Sequence, residues 1–256
     1  MNQAGQIDIN CDVGESYGAF VVGNDAQVLP LIDSANIACG FHGGDPSTMQ
    51  RTIELAIEHD VQIGAHPCAT RDLEGFGRRP VSIPSHELDS NLKYQIGALQ
   101  SIAQLHGTQV SYVKPHGALY HQIQRDESIA QVFVQAVMHL NRSFKILAAD
   151  GAILQRVCAA SGAELIPEGF ADRRYQPNGQ LVSRIESDAV IRDPELAAEQ
   201  ACRLAADQAT IAVDGSTIEV HCRSICVHGD QANATEILKA INRRFGEAGI
   251  QRVPFC

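Results

Sequence analysis

In this 256-residue sequence, histidines and carboxylates stand at the ends of short apolar runs, where chemistry can be concentrated. Ile7 to Val13 alternates polar with apolar residues. Successive side chains of a strand point to opposite faces, so Asp8, Asn10 and Asp12 share one face. The same parity groups Asn36, Gly40 and His42 on a second run, Gln62, Gly64 and His66 on a third, and Tyr112, Lys114 and His116 on a fourth. Two later runs contribute Glu164, Ile166, Glu168, Phe170 and Asp172, and then Ser224, Cys226, His228 and Asp230. Solvation does not explain this convergence, because the strands themselves are expected to be buried, and it predicts a functional rim at the strand ends. Asp12, His42, His66 and His116 are its expected catalytic group. They could hold a divalent metal that activates water, or act without metal as general acids and bases around a polarised amide.

The loops after these strands place glycine beside polar groups: Gly14-Glu15-Ser16, Gly43-Gly44-Asp45, Gly75-Phe76-Gly77-Arg78-Arg79 and Gly229-Asp230. Glycine lets the backbone approach a ligand closely and offers amides to anions, although tight turns need it equally. Arg78-Arg79 and Arg173-Arg174 could hold carboxylate or phosphate in a two-pronged grip.

The elements that must position these groups alternate strand with helix. Strands are predicted at Ile7–Val13, Ser34–Phe41, Val61–Ala65, Val110–Lys114, Phe144–Ala148, Glu164–Pro167 and Ser224–Val227. Asp45-Pro46 and Asp193-Pro194 each read as an N-cap followed by a first helical residue, and Gly107 as the left-handed end of a long helix from His86. Thr210–Val213 and Thr217–Val220, joined through Asp214-Gly215, read as a β-hairpin. This rhythm predicts an α/β protein with a parallel sheet, either a TIM-like β/α barrel of seven strands or a doubly wound open sheet.

Composition narrows the partners. A formal net charge of -10 disfavours nucleic acid and anionic membranes, without excluding a small anion in a locally positive pocket. No apolar run suggests a signal peptide or a membrane span. The 8 cysteines are scattered, and Cys222 and Cys226 are spaced wrongly for a CxxC motif, which together predict a reducing cytoplasm.

Read together, IDINCDVGESYG, SANIACGFHGGDP, IGAHP, GFGRRP, VKPHGALY, EGFADRRY and ICVHGD resemble the LamB/YcsF family in the expected order over residues 7 to 235. Two stretches depart from the family pattern: CATRDLEGFGRR, in place of a Ser-Tyr-Pro-Asp-like segment, and EGFADR, in place of a β-branched residue before FADR. The resemblance implies one domain over residues 1–256, a barrel of the glycoside hydrolase/deacetylase type. It further implies cleavage of 5-oxo-L-proline to L-glutamate coupled to ATP hydrolysis, with two other subunits as partners. Under it Asp12, His42, His66 and His116 surround the lactam or a metal, while Asn10, Glu15, Asp45, Arg78, Lys114, Asp172, Arg173, His228 and Asp230 bind the substrate. The chain has no GxxxxGK[ST] phosphate loop, so a partner is expected to hold most of the ATP. Two other readings compete. A stand-alone metal-dependent deacetylase or amidohydrolase would act without ATP, and a non-catalytic component that only binds a ligand would not need so dense a set of titratable groups.

Overall fold

The computed structural model describes residues 6–256; positions 1–5 of the expected domain span lie outside the described residues. β1 (Gln6–Val13) leads through the short helix α1 (Asp25–Val28) and a 3₁₀ turn into β2 (Ser34–Ala38), α2 (Pro46–Glu58) and β3 (Gln62–His66). The long α3 (Ser85–Leu105), β4 (Tyr112–Val113), α4 (Gly117–Gln122) and α5 (Glu127–Leu140) follow, then β5 (Lys145–Ala148), α6 (Ala152–Ser161) and β6 (Leu165–Phe170). The chain ends with α7 (Pro194–Asp207), β7 (Ala209–Ile211), β8 (Thr217–Glu219), β9 (Ser224–His228), α8 (Ala234–Ala248) and β10 (Gln251–Arg252). The strand order is β1-β2-β3-β4-β5-β6-β9, all parallel, and β9 also pairs with β1, which closes a seven-stranded barrel. The open-sheet alternative is thereby excluded.

Parity along the strands decides which residues face which layer. Ile7, Ile9, Cys11 and Val13 join the large apolar core beneath the helices, whereas Asp8, Asn10 and Asp12 are buried on the barrel side. Burying each Ile or Leu of that outer layer contributes about 1.5–3 kcal/mol. α2 starts where the sequence says: the Asp45 carboxylate accepts from the Thr48 amide at 2.8 Å, and Pro46 occupies the first turn. The hairpin forms too, with Ile211 opposite Thr217 across β7 and β8.

The sequence bounds the sixth strand at Pro167 while its parity can carry on through Glu168 and Phe170, and β6 does continue to Phe170. The Pro167 carbonyl still accepts from the Arg223 amide at 2.8 Å, so the strand loses a single donor and keeps its place. The N-terminal mouth of the barrel is closed by Phe255, which packs with Tyr112, Leu147 and Ile166. Its ring meets Tyr112 edge-on at 5.0 Å, while β10 lies beside the start of β1. Gly64 makes room for that arrangement, since a Cβ there would collide with the Tyr112 ring.

Candidate active site

The C-terminal ends of β1 to β4 bring Glu15, His42, His66 and His116 together, with one ligand atom from each within 4.8 Å of all the others, and all four buried. His42 and His116 stack in parallel at 3.6 Å. Gly77 supports both: with φ +62 it adopts the left-handed conformation, and a Cβ there would meet His42 and His116 at 2.9 Å. Its neighbour Phe76 takes the same region at φ 52 without being glycine, which aims its carbonyl at His116.

Backbone carbonyls fix the tautomers. His66 Nδ1 lies 2.8 Å from the Lys114 carbonyl, and His116 Nε2 lies 2.8 Å from the Phe76 carbonyl. Carbonyl oxygens only accept, so each of these nitrogens carries its proton. The remaining nitrogens, His66 Nε2 and His116 Nδ1, then face one another at 2.9 Å with two lone pairs and no proton between them when both rings are neutral. A cation resolves this. A proton is a poor choice, because burial and then the fields of His42 and His66 hold the His116 imidazole well below its ordinary pKa. Glu15 is driven the other way, raised well above the carboxylate range by burial and then by Asp12. Both nitrogens of His42 and Oε2 of Glu15 are buried without a hydrogen-bond partner. Three imidazoles and a carboxylate with free lone pairs fit a divalent metal such as zinc.

The sequence reading puts Asp12 in this set, and Glu15 stands there instead. Asp12 Oδ1 accepts from Asn36 at 2.8 Å and from Lys114 at 3.1 Å, while Oδ2 lies 3.4 Å from His66 Nε2. Burial would raise Asp12, but His66 and Lys114 outweigh it and hold the carboxyl well below its usual range. Lys114 is fully enclosed and also pairs with Glu168 at 2.7 Å. Burial would lower its ammonium, yet Asp12 and Glu168 raise it well above its ordinary value, so it stays charged. The Tyr120 hydroxyl donates to the second Glu168 oxygen at 2.9 Å.

Across the barrel, His228 gathers with Asp12 and Cys226. Asp172 accepts from the His228 amide at 2.9 Å and from its Nδ1 at 2.9 Å, which leaves Nε2 free of that partner. Burial would raise Asp172, but the charge and hydrogen bonds of His228, together with Arg184, outweigh it and hold the carboxyl below its ordinary value.

The other expected substrate-binding residues fall in three places. Asn10 is inside the barrel, where its Oδ1 accepts from Lys114 at 3.1 Å and from Asn36 at 2.7 Å. Arg78 and Asp230 pair with each other over the rim, with the guanidinium 4.8 Å from the Phe76 ring. Asp45 caps α2 and accepts from the Gly18 amide at 2.8 Å, and the Arg173 guanidinium donates to the carbonyls of Ala189 and Val182. Sequence reasoning places Asn36 and Glu168 on the rim-facing parity without giving either a role, and it misses Tyr120 and Gln231, whose amide donates to Asp172. The parity of β6 already places Glu168 beside Asp172, and that signal is sufficient to find it.

The sequence pattern of the LamB/YcsF family matches residues 7–256. This chain belongs to that family. Among its LamB/YcsF relatives, the 5-oxoprolinase A subunit of Staphylococcus carnosus (strain TM300) is 46% identical over 245 residues, 96% of this chain and 97% of that protein. Its counterpart in Symbiobacterium thermophilum, of the same name, is 44% identical, covering 96% of this chain and 94% of its own. The lactam utilization protein of Thermus thermophilus superposes with a TM-score of 0.92 at 37% identity, over 98% of this chain and 100% of that one. Beyond the family, the catalytic domain of a peptidoglycan N-acetylglucosamine deacetylase from Eubacterium rectale shares the fold alone, with a TM-score of 0.52 at 9% identity over 100% of this chain and 90% of that one.

Proposed function

We propose that this chain is the A subunit of a 5-oxoprolinase and handles water in the ATP-coupled cleavage of 5-oxo-L-proline to L-glutamate. The observation that carries the reading is the buried Glu15–His42–His66–His116 group, with its unmatched lone pairs, beside an ionised Asp12 and a charged Lys114. The names of its relatives, a 5-oxoprolinase component and a lactam utilization protein, supply the substrate class: a lactam is a cyclic amide.

An unactivated amide resists water, and phosphorylation of the lactam oxygen by ATP makes its carbon electrophilic. Water then adds to that carbon, the ring C–N bond breaks and the nitrogen leaves with a proton, and a second water splits the resulting acyl phosphate into phosphate and the side-chain carboxylate of glutamate. Bound by Glu15, His42, His66 and His116, a divalent metal would supply a water of lowered pKa. Asp12, ionised, accepts the proton that the attacking water loses. Lys114 offers a fixed positive charge to the oxygen that gains negative charge as water adds. His228, oriented through Nδ1 by Asp172, hands a proton to the departing nitrogen. Two partner subunits would hold most of the nucleotide, since the chain has no phosphate-binding loop of the GxxxxGK[ST] kind. No helix among the described residues is long and apolar enough to cross a membrane, and the free cysteines support a reducing compartment such as the cytoplasm.

The test is release of glutamate and ADP from 5-oxoproline by the partner subunits, with and without this chain and with His116→Ala in its place. Turnover that needs the native chain, and an assembled but inactive variant, support the reading. Equal turnover by the partners alone sinks it. The zinc-competent group favours one other reading, a stand-alone metal-dependent amidohydrolase, and the same preparation assayed alone on acetylated amino sugars separates the two.

A further inference from the structure

The loop after β3 is tied into a tight turn and then reaches across the mouth of the barrel. The Asp72 amide donates to the Phe41 carbonyl at 3.0 Å, and Asp72 in turn accepts from the Gly75 amide through its carboxylate and from the Gly77 amide through its carbonyl, both at 2.9 Å. The Gly77 carbonyl accepts from the Ala118 amide at 3.0 Å, which anchors the turn to α4. From this base Arg78 extends to Asp230 on the turn after β9, 152 positions away, with β1 and β2 between β9 and β3 in the barrel. We propose that the Arg78–Asp230 pair is a clasp whose closure holds Phe76 over the histidines and so orients His116. Both are then positioning residues and not substrate ligands. The inference rests on the lactam reading above for the reaction that the clasp serves.

Three contacts carry the effect inwards. The Arg78 guanidinium lies 4.8 Å from the centre of the Phe76 ring, close enough for its charge to be attracted to the ring face. That ring stands edge-on to His42 at 5.6 Å and to His116 at 5.4 Å, so it covers the stacked pair. The Phe76 carbonyl accepts from His116 Nε2 at 2.8 Å, which is the contact that fixes the tautomer. Phe76 holds φ 52, and a bulky residue stays in that conformation only where its surroundings over-determine it. The clasp is the part of those surroundings that comes from the opposite side of the mouth.

The pair also acts on the group beneath it. The Glu15 carboxyl is raised first by burial and then by Asp12 and Asp230, and Arg78 opposes them. Asp230 stands two residues after His228, so the clasp joins the loop that carries the proposed proton donor to the loop over the histidines. The Arg78 side chain is 37% exposed and that of Asp230 18%, and a pair open to water to that extent holds weakly. It therefore opens and closes without disturbing the fold, as admission of a substrate to a covered site requires.

A double-mutant cycle combined with a direct view of His116 tests this. In the reconstituted enzyme, Arg78→Ala and Asp230→Ala are each expected to lower kcat about tenfold while KM moves less than about threefold, and the double variant to lose no more than either single one. Arg78→Lys, which keeps a cation over Phe76, should recover most of kcat. All four variants should melt like the wild type. In the metal-free full chain with 15N-labelled histidine, NMR should show wild-type His116 as one tautomer, protonated at Nε2, and both alanine variants as a mixture of two. A KM rise confined to Arg78→Ala, additive losses of kcat, or an unchanged His116 tautomer in both alanine variants each overturns the clasp. A tautomer that shifts with the clasp while the wild-type complex turns over no 5-oxoproline keeps the clasp and removes the oxoprolinase reading instead.

Discussion

The two halves of the barrel interior are both polar and both buried, yet they are finished differently. In the lower half Ser34 and Ser224 donate to Asp8, Asn10 donates to Ser224 at 2.7 Å, and Asn36 donates to Asn10 at 2.7 Å. Tyr112 then completes the network by donating to Asn36 at 2.8 Å. In the upper half, both nitrogens of His42 and one oxygen of Glu15 have no partner, and two histidine lone pairs confront each other. A polar network that satisfies itself holds a fold together; one left incomplete at the same depth is held open for something that arrives.

The largest effect expected from breaking this contrast is at the upper half. His116→Ala should cut 5-oxoproline-dependent glutamate release by about 10³-fold or more, with little loss of melting temperature, since it removes a group whose role is chemical. A smaller expected effect tests what completes the upper half: a strong chelator should abolish most of the activity, zinc or another divalent ion should restore it, and Glu15→Gln should lower the bound metal per chain in elemental analysis.

The lower half predicts effects on stability. Burial raises the Asp8 carboxyl to about 8, beyond what its two serine donors lower it. Between the unfolded value of 3.8 and that folded value the native state holds a proton that the unfolded chain has released, so stability falls as pH rises through this window. The slope from this group approaches about 1.4 kcal/mol per pH unit. Asp8→Asn, neutral in both states, should flatten the dependence in urea unfolding between pH 5 and pH 8 and gain most over the wild type at pH 8. An unaltered slope would mean that Asp8 is not the group responsible. Tyr112→Phe should be the mildest change, costing about 1–2 kcal/mol in the same assay by leaving Asn36 Oδ1 without its donor.

Much of this contrast is legible in the sequence, because strand parity is a local property. IDINCDV sorts its own side chains into two layers, and Asp45-Pro46 announces α2 without reference to anything distant. Which carboxylate stands beside the histidines is not legible, since it depends on how the Gly14 turn folds Glu15 back over the rim. Asp12 is the local expectation, and its Oδ1 is taken by Asn36 and Lys114, residues 24 and 102 positions away. The wall of the barrel mouth beyond β4 is hidden for a related reason. α4 is 6 residues long, too short to show a helical period, and the segment from Arg173 to Val190 forms isolated bridges without a repeating pattern. β10 escapes notice as well, with 2 residues.

The pairing of β1 with β9 has a consequence for how the chain is made. β1 ends at residue 13, and the strand that completes its second edge ends at residue 228. At ordinary elongation rates a ribosome needs about 10–40 s to cover that interval. Throughout it β1 can pair only with β2, leaving one edge with unpaired amides and carbonyls of the kind that recruits stray strands. The barrel therefore cannot close before β9 has been made, and the nascent protein depends until then on whatever shields that edge.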